Sequence, residues 1–282
     1  MKKPYLLISG ATGGLGSAFA LECAQRGYDL VLTDVPKEVA QFTSSLASAF
    51  SIDIHYFSCD LTSPQERITL YTRLEEAGFS FWGLINVAGI DYEGAFLSRR
   101  KDEILQILRL NIEATVDLTH TILAKRASNK RFMLINVCSL AAFFPMPYKA
   151  LYAASKRFLL DFTLSIAEEI SSFGSATALC PAGLPTNPDV MRAIFAQGFW
   201  GKMTSMDPNL VAHITINAAL KGKKVVIPGF LNLWLQKVGS LLPCTMAARM
   251  LGKRWKQSCE NTVFLRYPLM ADMVESFYKT TY

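Results

Sequence analysis

A glycine-rich segment near the N-terminus, SGATGGLG at residues 9–16, lies between a short apolar run and a helix-like run. Glycine is required where the backbone takes a positive φ or where a Cβ would hold a ligand away from the main chain. A strand that ends at Ser9, a tight turn and a helix that begins near Gly14 would point unpaired N–H groups and the positive end of the helix dipole at one place. Such a place attracts a phosphate or pyrophosphate group.

An export signal is the alternative interpretation of the same region. Met1-Lys2-Lys3 is a basic start, and Ala18-Phe-Ala20 imitates a small-residue cleavage site. A signal peptide needs an uninterrupted apolar core, however, and four glycines interrupt this one: Gly10, Gly13, Gly14 and Gly16. The segment therefore favours a phosphate-binding turn, although turns in general also use glycine freely.

Seven short β-rich runs alternate with helical patterns along the chain. They cover residues 5–9, 29–33, 54–58, 83–87, 131–138, 176–180 and 224–227. This alternation predicts an α/β fold of Rossmann type, a doubly wound parallel sheet of about seven strands with helices on both faces. The chain has no internal repeat or linker, so we predict one domain over residues 1–282, with residues 229–282 as a basic, amphipathic C-terminal extension.

Composition limits the classes of function. Ten of the 29 Lys and Arg residues but only three of the 23 Asp and Glu residues lie from Lys221 onward, so the net charge of +6 belongs to the C-terminal part. Nucleic acid is a poor candidate partner, because no basic helix or aromatic platform runs through the main body. The six cysteines form no C-x-x-C pair or zinc-like spacing, which predicts reduced core thiols of a cytoplasmic protein and no metal site. No apolar run is long enough to span a membrane.

Carboxylates follow two of the predicted strands, at the edge where ligands of such folds bind. Asp34 comes 24 positions after Gly10, which is about the spacing at which a carboxylate binds the hydroxyls of an adenosine ribose. A helix N-cap is the alternative role for Asp34. Asp60, in front of Leu61, is placed either to contact an adenine amino group or to cap the helix that begins near Ser63.

The most informative residues are Ser139, Tyr152 and Lys156. Tyr152 and Lys156 are four apart, so they share one face of a helix. A tyrosine has an ordinary pKa of about 10, and a nearby ammonium favours its phenolate. Ser139, at the end of the fifth strand, would hold a substrate oxygen against Tyr152. The three suit a conversion between a carbonyl and an alcohol, in which a hydride moves between carbons and a proton moves on oxygen.

Together these motifs resemble the short-chain dehydrogenase/reductases. The resemblance covers about residues 4–230 and rests on Gly10-x-x-x-Gly14-x-Gly16, Asn86-x-Ala-Gly89, Asn111, Ser139 and Tyr152-x-x-x-Lys156. It implies that Tyr152 is the acid/base, that Lys156 lowers its pKa and binds the nicotinamide ribose, and that Ser139 orients the substrate. Asn111 would hold a water near Lys156, or would be a helix-bending core residue.

The resemblance also implies a nicotinamide cofactor. The candidate cofactor-binding residues are Gly10, Thr12, Gly13, Gly14, Leu15, Gly16, Asp34, Asp60, Leu61, Asn86, Ala88, Gly89, Tyr152, Lys156, Pro181, Gly183 and Thr186. The chain departs from the family pattern at Ala182, which stands where the family usually has a glycine after proline, and in its long tail. Asp34 would repel a 2′-phosphate, which favours NAD, whereas Lys37 leaves NADP open.

A lipophilic small molecule, steroid-like or with a long acyl chain, is the predicted substrate. Apolar residues occur at 143–148, beside Ser139, and at 194–200, which we interpret as a mobile lid. Core packing or a subunit interface would explain the same residues. A nucleotide-sensing or scaffold protein that keeps the fold without turnover is the alternative function.

The C-terminal extension begins with a helical stripe that ends before Pro243. The stripe consists of Leu231, Trp234, Leu235, Val238, Leu241 and Leu242, with Asn232 off it, and a basic-apolar segment follows at residues 246–256. Packing as a pocket wall or subunit interface is one interpretation. The other is peripheral contact of a cytoplasmic protein with an anionic membrane surface. The family resemblance implies a homo-oligomer.

Overall fold

This computed structural model describes residues 3–35, 40–186 and 203–266. Its strands are β1 (Tyr5–Ser9), β2 (Leu30–Asp34), β3 (Ile54–Ser58), β4 (Phe81–Asn86), β5 (Phe132–Val137), β6 (Gly174–Leu179) and β7 (Val225–Val226). The helices are α1 (Gly14–Gln25), α2 (Ala40–Phe50), α3 (Pro64–Glu76), α4 (Lys101–Leu108), α5 (Thr115–Ala124), α6 (Ala150–Glu169), α7 (Pro208–Leu220), α8 (Phe230–Gly239) and α9 (Cys244–Arg266).

All seven strands pair in parallel in the order β3-β2-β1-β4-β5-β6-β7. The predicted doubly wound α/β sheet is therefore confirmed, and each predicted run meets a strand whose ends differ from it by two residues or fewer. Strand order reverses between β1 and β4, so the loops after these strands diverge and open a crevice at their carboxyl ends.

The alternation of side chains along β1 builds the two layers of the core. Leu6 and Ile8 pack with α1 and α7 on one face, whereas Tyr5 and Leu7 pack with α3, α5 and α6 on the other. Successive side chains of a strand point to opposite faces. A β1 that is buried at every position, and apolar from Tyr5 to Ile8, is therefore expected for a strand covered by helices on both sides.

The cysteines follow the prediction only in part. Cys23, Cys59, Cys138 and Cys180 are buried free thiols, but Cys244 is exposed at the start of α9 and is not a core residue. Among the described residues, no group of three His, Cys, Asp or Glu side chains is placed to hold a metal ion. None of the described helices is both long and apolar enough to cross a membrane.

The first helix of the extension differs from its predicted orientation. Asn232, expected on the polar side, is buried, because its Nδ2 donates hydrogen bonds to the Thr204 and Pro228 carbonyls (3.1 and 2.8 Å). Trp234 and Leu241, two members of the predicted apolar stripe, are 50 % and 84 % exposed. Because its amide donates to two carbonyls, Asn232 can be buried at low cost, although the periodicity of the apolar residues predicts an outward position.

Candidate active site

The glycine turn after β1 is closely packed from several sides. Gly10 has a φ of +65°, and a Cβ there would lie 2.7 Å from Ala88 N. A Cβ on Gly16 would lie 1.9 Å from the Gly10 carbonyl oxygen, and one on Gly14 would lie 2.7 Å from Thr186 Cβ. Only glycine fits these positions, and the turn opens at the N-terminus of α1. This cradle fits the pyrophosphate of a dinucleotide.

Thr12 of the glycine turn holds the carboxylate of Asp34, which is predicted to bind the ribose. Gly13, at the N-cap of α1, brings no side chain to cap the helix, and Leu15 is buried in the core. Asp34 Oδ2 accepts hydrogen bonds from Thr12 N (2.8 Å) and Thr12 Oγ1 (2.5 Å), and Asp34 Oδ1 accepts one from Val35 N (2.8 Å). The Asp34 carboxylate therefore lies at the edge of the phosphate cradle, and its contact with ribose stays a prediction.

Asp60 and Leu61 follow β3 at the same edge of the sheet. Asp60 Oδ1 accepts hydrogen bonds from Thr62 N (2.9 Å) and Thr62 Oγ1 (2.8 Å), which closes the turn before α3. The N-cap of α3 is Ser63, whose Oγ accepts from Glu66 N (3.3 Å). Leu61 is buried. The contact of Asp60 with adenine stays a prediction.

A buried network of amides and hydroxyls holds the strands beneath the site together. Asn86 Nδ2 donates to Thr119 Oγ1 (3.0 Å) and to Asn136 Oδ1 (2.8 Å), and Asn136 Nδ2 donates to Thr163 Oγ1 (2.9 Å). The network joins β4 and β5 to α5 and α6. Because the Asn86 side chain is directed into this network, its predicted cofactor contact would have to come from its main chain.

Gly89, Asn111 and Lys156 meet at the end of β4. A Cβ on Gly89 would lie 3.2 Å from both Asn111 Oδ1 and Lys156 Nζ. Asn111 is fully buried in a π-helical segment, Arg109–Ala114, where its side chain exchanges two hydrogen bonds of 2.9 Å with the main chain of Ile90. Such π-helical segments occur frequently at functional sites. The structure thus brings Asn111 to Lys156, as predicted, and its water-holding role stays a prediction.

The three residues predicted to carry the chemistry lie together. Ser139 lies two residues after the end of β5, and its Oγ accepts a hydrogen bond from Ala141 N (3.1 Å). The Tyr152 phenol on α6 faces Ser139, whose hydroxyl favours the ionised phenol and so lowers its pKa. Lys156, one turn later on α6, donates from Nζ to the Val137 carbonyl (2.8 Å), and its Nζ lies 5.7 Å from the centre of the Tyr152 ring.

The electrostatics of this group differ from the expectation. Burial, and after it the Asp91 carboxylate, raise the pKa of Tyr152 to about 12, although the Ser139 hydroxyl and the charge of Lys149 act against the rise. Burial outweighs the charges around the phenol, and the lowering of the Tyr152 pKa by Lys156 stays a prediction. Burial also lowers the pKa of Lys156 itself. Burial disfavours the charged form of each side chain, and this effect is larger than the mutual stabilisation expected from their four-residue spacing on the helix.

Sequence reasoning missed an ion cluster beside Tyr152. Lys149, one turn before Tyr152, pairs with Asp91 and with Glu93, whose Oε1 lies 2.6 Å from the Lys149 ammonium. The ammonium also lies 4.6 Å from the ring centre of Trp255 on α9 and 5.6 Å from that of Tyr152. The three-residue spacing of Lys149 and Tyr152 indicates that the two lie close together. The partners of Lys149 in the loop after β4 and on α9 could not be predicted, because they are distant from it in sequence.

Both helices of the extension pack against the apolar segment that follows Ser139. A Cβ on Gly239 of α8 would lie 2.5 Å from Phe144 Cε1, and one on Gly252 of α9 would lie 3.3 Å from Pro147 Cγ. The extension therefore packs against the segment that follows Ser139, and its role as a pocket wall stays a prediction.

The segment after β6 closes the site from the opposite side. The Pro181 carbonyl accepts a hydrogen bond from Leu140 N (2.8 Å), and the Gly183 carbonyl accepts one from Met206 N (3.2 Å). Thr186 touches the glycine turn rather than the segment around Ser139. The proposed lid at residues 194–200 lies outside the described residues.

Comparison with known proteins assigns this arrangement to a family. The profile described as short chain dehydrogenase matches residues 5–193. The chain belongs to this family of oxidoreductases. Its fold is shared with the bulky-bulky ketone specific alcohol dehydrogenase from Comamonas testosteroni, which is 25% identical with a TM-score of 0.70 over 89% of this chain and 99% of that one.

Two curated relatives are similar to this chain over a shorter stretch. A very-long-chain 3-oxoacyl-CoA reductase of Coprinopsis cinerea is 28% identical over 178 residues, which is 61% of this chain and 52% of that protein. The 17-beta-hydroxysteroid dehydrogenase type 3 of Homo sapiens is 27% identical over 170 residues, 58% of this chain and 54% of that protein. The chain thus spans about half the length of the curated relatives it matches.

Proposed function

We propose that this dehydrogenase interconverts a secondary alcohol and a ketone on a lipophilic molecule, with NAD as the preferred cofactor. One observation carries the proposal: the Tyr152 phenol faces Ser139, and Lys156 lies on the same face of α6 at the carboxyl edge of the sheet. The glycine cradle and Gly89 lie at the same edge, which suits a dinucleotide that extends from one to the other.

In this proposal the cofactor supplies or accepts the hydride, and the chain handles the proton. Ser139 orients the substrate oxygen, and Tyr152 donates a proton to it or takes one from it. Since burial raises the pKa of Tyr152 to about 12, the phenol is protonated at neutral pH. A protonated phenol can donate its proton to the oxygen of a ketone, and the phenolate that results can take a proton from an alcohol in the reverse reaction.

The lipophilic substrate is supported by the wall of the pocket. Phe144 and Pro147 follow Ser139 and are covered by α8 and α9. The names of the relatives, a very-long-chain 3-oxoacyl-CoA reductase and a 17-beta-hydroxysteroid dehydrogenase, support a long acyl chain or a steroid-like ketone.

The preference for NAD rests on Asp34. Its carboxylate is held at the edge of the glycine turn by Thr12. We propose that it meets the adenosine ribose, where its negative charge would disfavour a 2′-phosphate. Lys37, the residue that keeps NADP as the alternative, lies outside the described residues.

We further propose that the protein is cytoplasmic and that its extension touches an anionic membrane surface. Phe230, Trp234 and Val238 recur at helical spacing on α8, and Leu241 follows the end of the helix; all four are exposed. Lys237 on α8 is exposed, and so are Arg249, Lys253, Arg254 and Lys256 on α9. An exposed apolar face with a basic rim is the arrangement that binds to anionic lipid surfaces.

A homo-oligomer is proposed from another surface. On α6, Phe158 is 42 % exposed and its ring stacks on that of Phe162 at 6.0 Å. Leu105, on the neighbouring α4, is also exposed. This apolar surface suits contact with a second copy of the chain.

A substrate screen tests the proposal. Ketosteroids, 3-oxoacyl thioesters and simple sugars are offered with NADH or NADPH, and the absorbance of the reduced nicotinamide is followed. We expect turnover with one of the two lipophilic classes. Cofactor binding without turnover on any ketone would support the alternative of a nucleotide-sensing or scaffold protein.

A further inference from the structure

The ammonium of Lys149 occupies an unusual place for a lysine. Its side chain is only 10% exposed, and it pairs with two carboxylates, those of Asp91 and Glu93, on the loop after β4. Burial alone would lower the pKa of Lys149, but these carboxylates outweigh burial and raise it above the ordinary range of lysine. The group is therefore a permanent cation within a turn of the reacting tyrosine.

The backbone around Lys149 is held in a strained conformation. Tyr148, the preceding residue, has a φ of +67°, a region that side chains other than glycine rarely adopt. The Tyr148 carbonyl accepts a hydrogen bond from Gly94 N (2.9 Å). The loop after β4 therefore holds the main chain at Tyr148 and also pairs with the Lys149 ammonium. Strain of this kind persists where the surrounding structure imposes it, and it concentrates at functional sites.

The C-terminal extension completes the enclosure. The indole of Trp255 on α9 is 8% exposed, and its ring centre lies 4.6 Å from the Lys149 ammonium. An ammonium over an indole face is attracted by the ring, and the ring also excludes water from the ion pairs. Gly252, on the same helix, lies against Pro147, which positions Trp255 over the corner.

We propose that Lys149, held between Asp91, Glu93 and the indole of Trp255, is a positioning residue that sets the charge at the Tyr152 phenol and makes proton transfer depend on the C-terminal extension. The inference rests on the proposed function, in which Tyr152 donates and accepts the proton. Lys149 itself touches neither substrate nor cofactor in this account.

The charges facing Tyr152 have opposite effects on its ionisation. Asp91 opposes the phenolate, and Lys149 favours it. The other chargeable groups of the surroundings are Lys156 on α6 and the buried thiols of Cys138 and Cys180 at the ends of β5 and β6. The basic residues of α9 on either side of Trp255 are exposed: Lys253, Arg254 and Lys256. Asp91 and Lys149 are therefore the two charges whose removal should change the ionisation of Tyr152 in opposite directions.

The first experiment measures the pH profile of kcat/KM for alcohol oxidation. In Lys149→Met both carboxylates lose their partner, so the apparent pKa of oxidation should move to higher pH by about one to two units. Lys149→Arg should restore the wild-type profile, and Trp255→Leu should shift it in the same direction by less. A purely structural role would lower the rate at every pH without moving the profile, and that result would overturn the proposal.

The second experiment does not require turnover, and it keeps the inference separate from the proposed function. The Cζ resonance of Tyr152, labelled with carbon-13 and assigned by its loss in Tyr152→Phe, is titrated by NMR. Asp91→Asn should lower the pKa of Tyr152 from about 12 by a measurable amount. Glu93→Gln is the matched control, since it removes the other carboxylate of Lys149 but leaves Asp91 in place. Equal titration of wild type and Asp91→Asn would refute the charge assignment even if the enzyme is active.

Discussion

Replacement of Gly14 by alanine tests how the cofactor cradle is built. A Cβ on this residue would lie 2.7 Å from Thr186 Cβ, 2.8 Å from Thr186 Cα and 2.9 Å from the Thr186 carbonyl oxygen. Two of these three atoms belong to the backbone, so a rotamer change of Thr186 cannot relieve the overlap. The segment after β6 would have to move away from the glycine turn.

The magnitude follows from the cost of overpacking. Added methyl groups in closely packed sites cost about 1–3 kcal/mol. If cofactor binding requires Thr186 in its present position, the dissociation constant should rise by about 5- to 150-fold. Alanine at the start of α1 offsets part of any loss of folding stability, since it stabilises helix interiors by up to about 1 kcal/mol relative to glycine. We therefore expect weaker cofactor binding with little change in Tm.

Gly27→Ala, in the turn after α1, is the control. Its Cβ would meet no atom within 4 Å, but its φ of +72° strains alanine, so this variant should lose folding stability and keep its affinity for the cofactor. Quenching of tryptophan fluorescence by NADH would give the dissociation constants of wild type and both variants. If Gly14→Ala binds NADH as tightly as Gly27→Ala and the wild type, the close approach of Thr186 to the cradle has no part in cofactor binding.

Two other predictions concern the cofactor and the membrane. The wild type should show a higher kcat/KM with NADH than with NADPH, and Asp34→Asn should narrow the difference because it removes the charge that repels a 2′-phosphate; a wild-type preference for NADPH would contradict this. The protein should sediment with anionic vesicles at low salt and be released by salt. Trp234→Gln should weaken sedimentation more than Leu97→Gln, which alters a residue that is 94% exposed outside the extension. Wild-type protein that remains in the supernatant would refute the membrane proposal.

The fold could be predicted from local patterns because strands buried on both faces are nearly continuous apolar runs. Such runs appear in the sequence at β1 and β5, and glycine follows β1 where the turn requires it. The grouping of Ser139, Tyr152 and Lys156 could be predicted for a similar reason. One residue ends a strand and the other two share a helix face, so short-range rules position all three.

The remaining features depend on contacts between segments distant in sequence. Periodicity on α8 favours an inward apolar stripe, but Asn232 is buried because its amide finds the carbonyls of Thr204 and Pro228. The position of Trp255 over Lys149 depends on the packing of α9 against residues 143–148. The raised pKa of Tyr152 depends on burial, which residue spacing does not report.

The central claim is that Tyr152 transfers the proton between the chain and the substrate oxygen. Tyr152→Phe removes the exchangeable proton and keeps the ring that packs beside Lys156, so it tests this claim more directly than any other change. We expect the variant to bind NADH as the wild type does and to lose nearly all turnover of the ketone identified in the substrate screen. If the phenylalanine variant turns over that ketone at the wild-type rate, Tyr152 is not the acid/base and the account of the site is wrong.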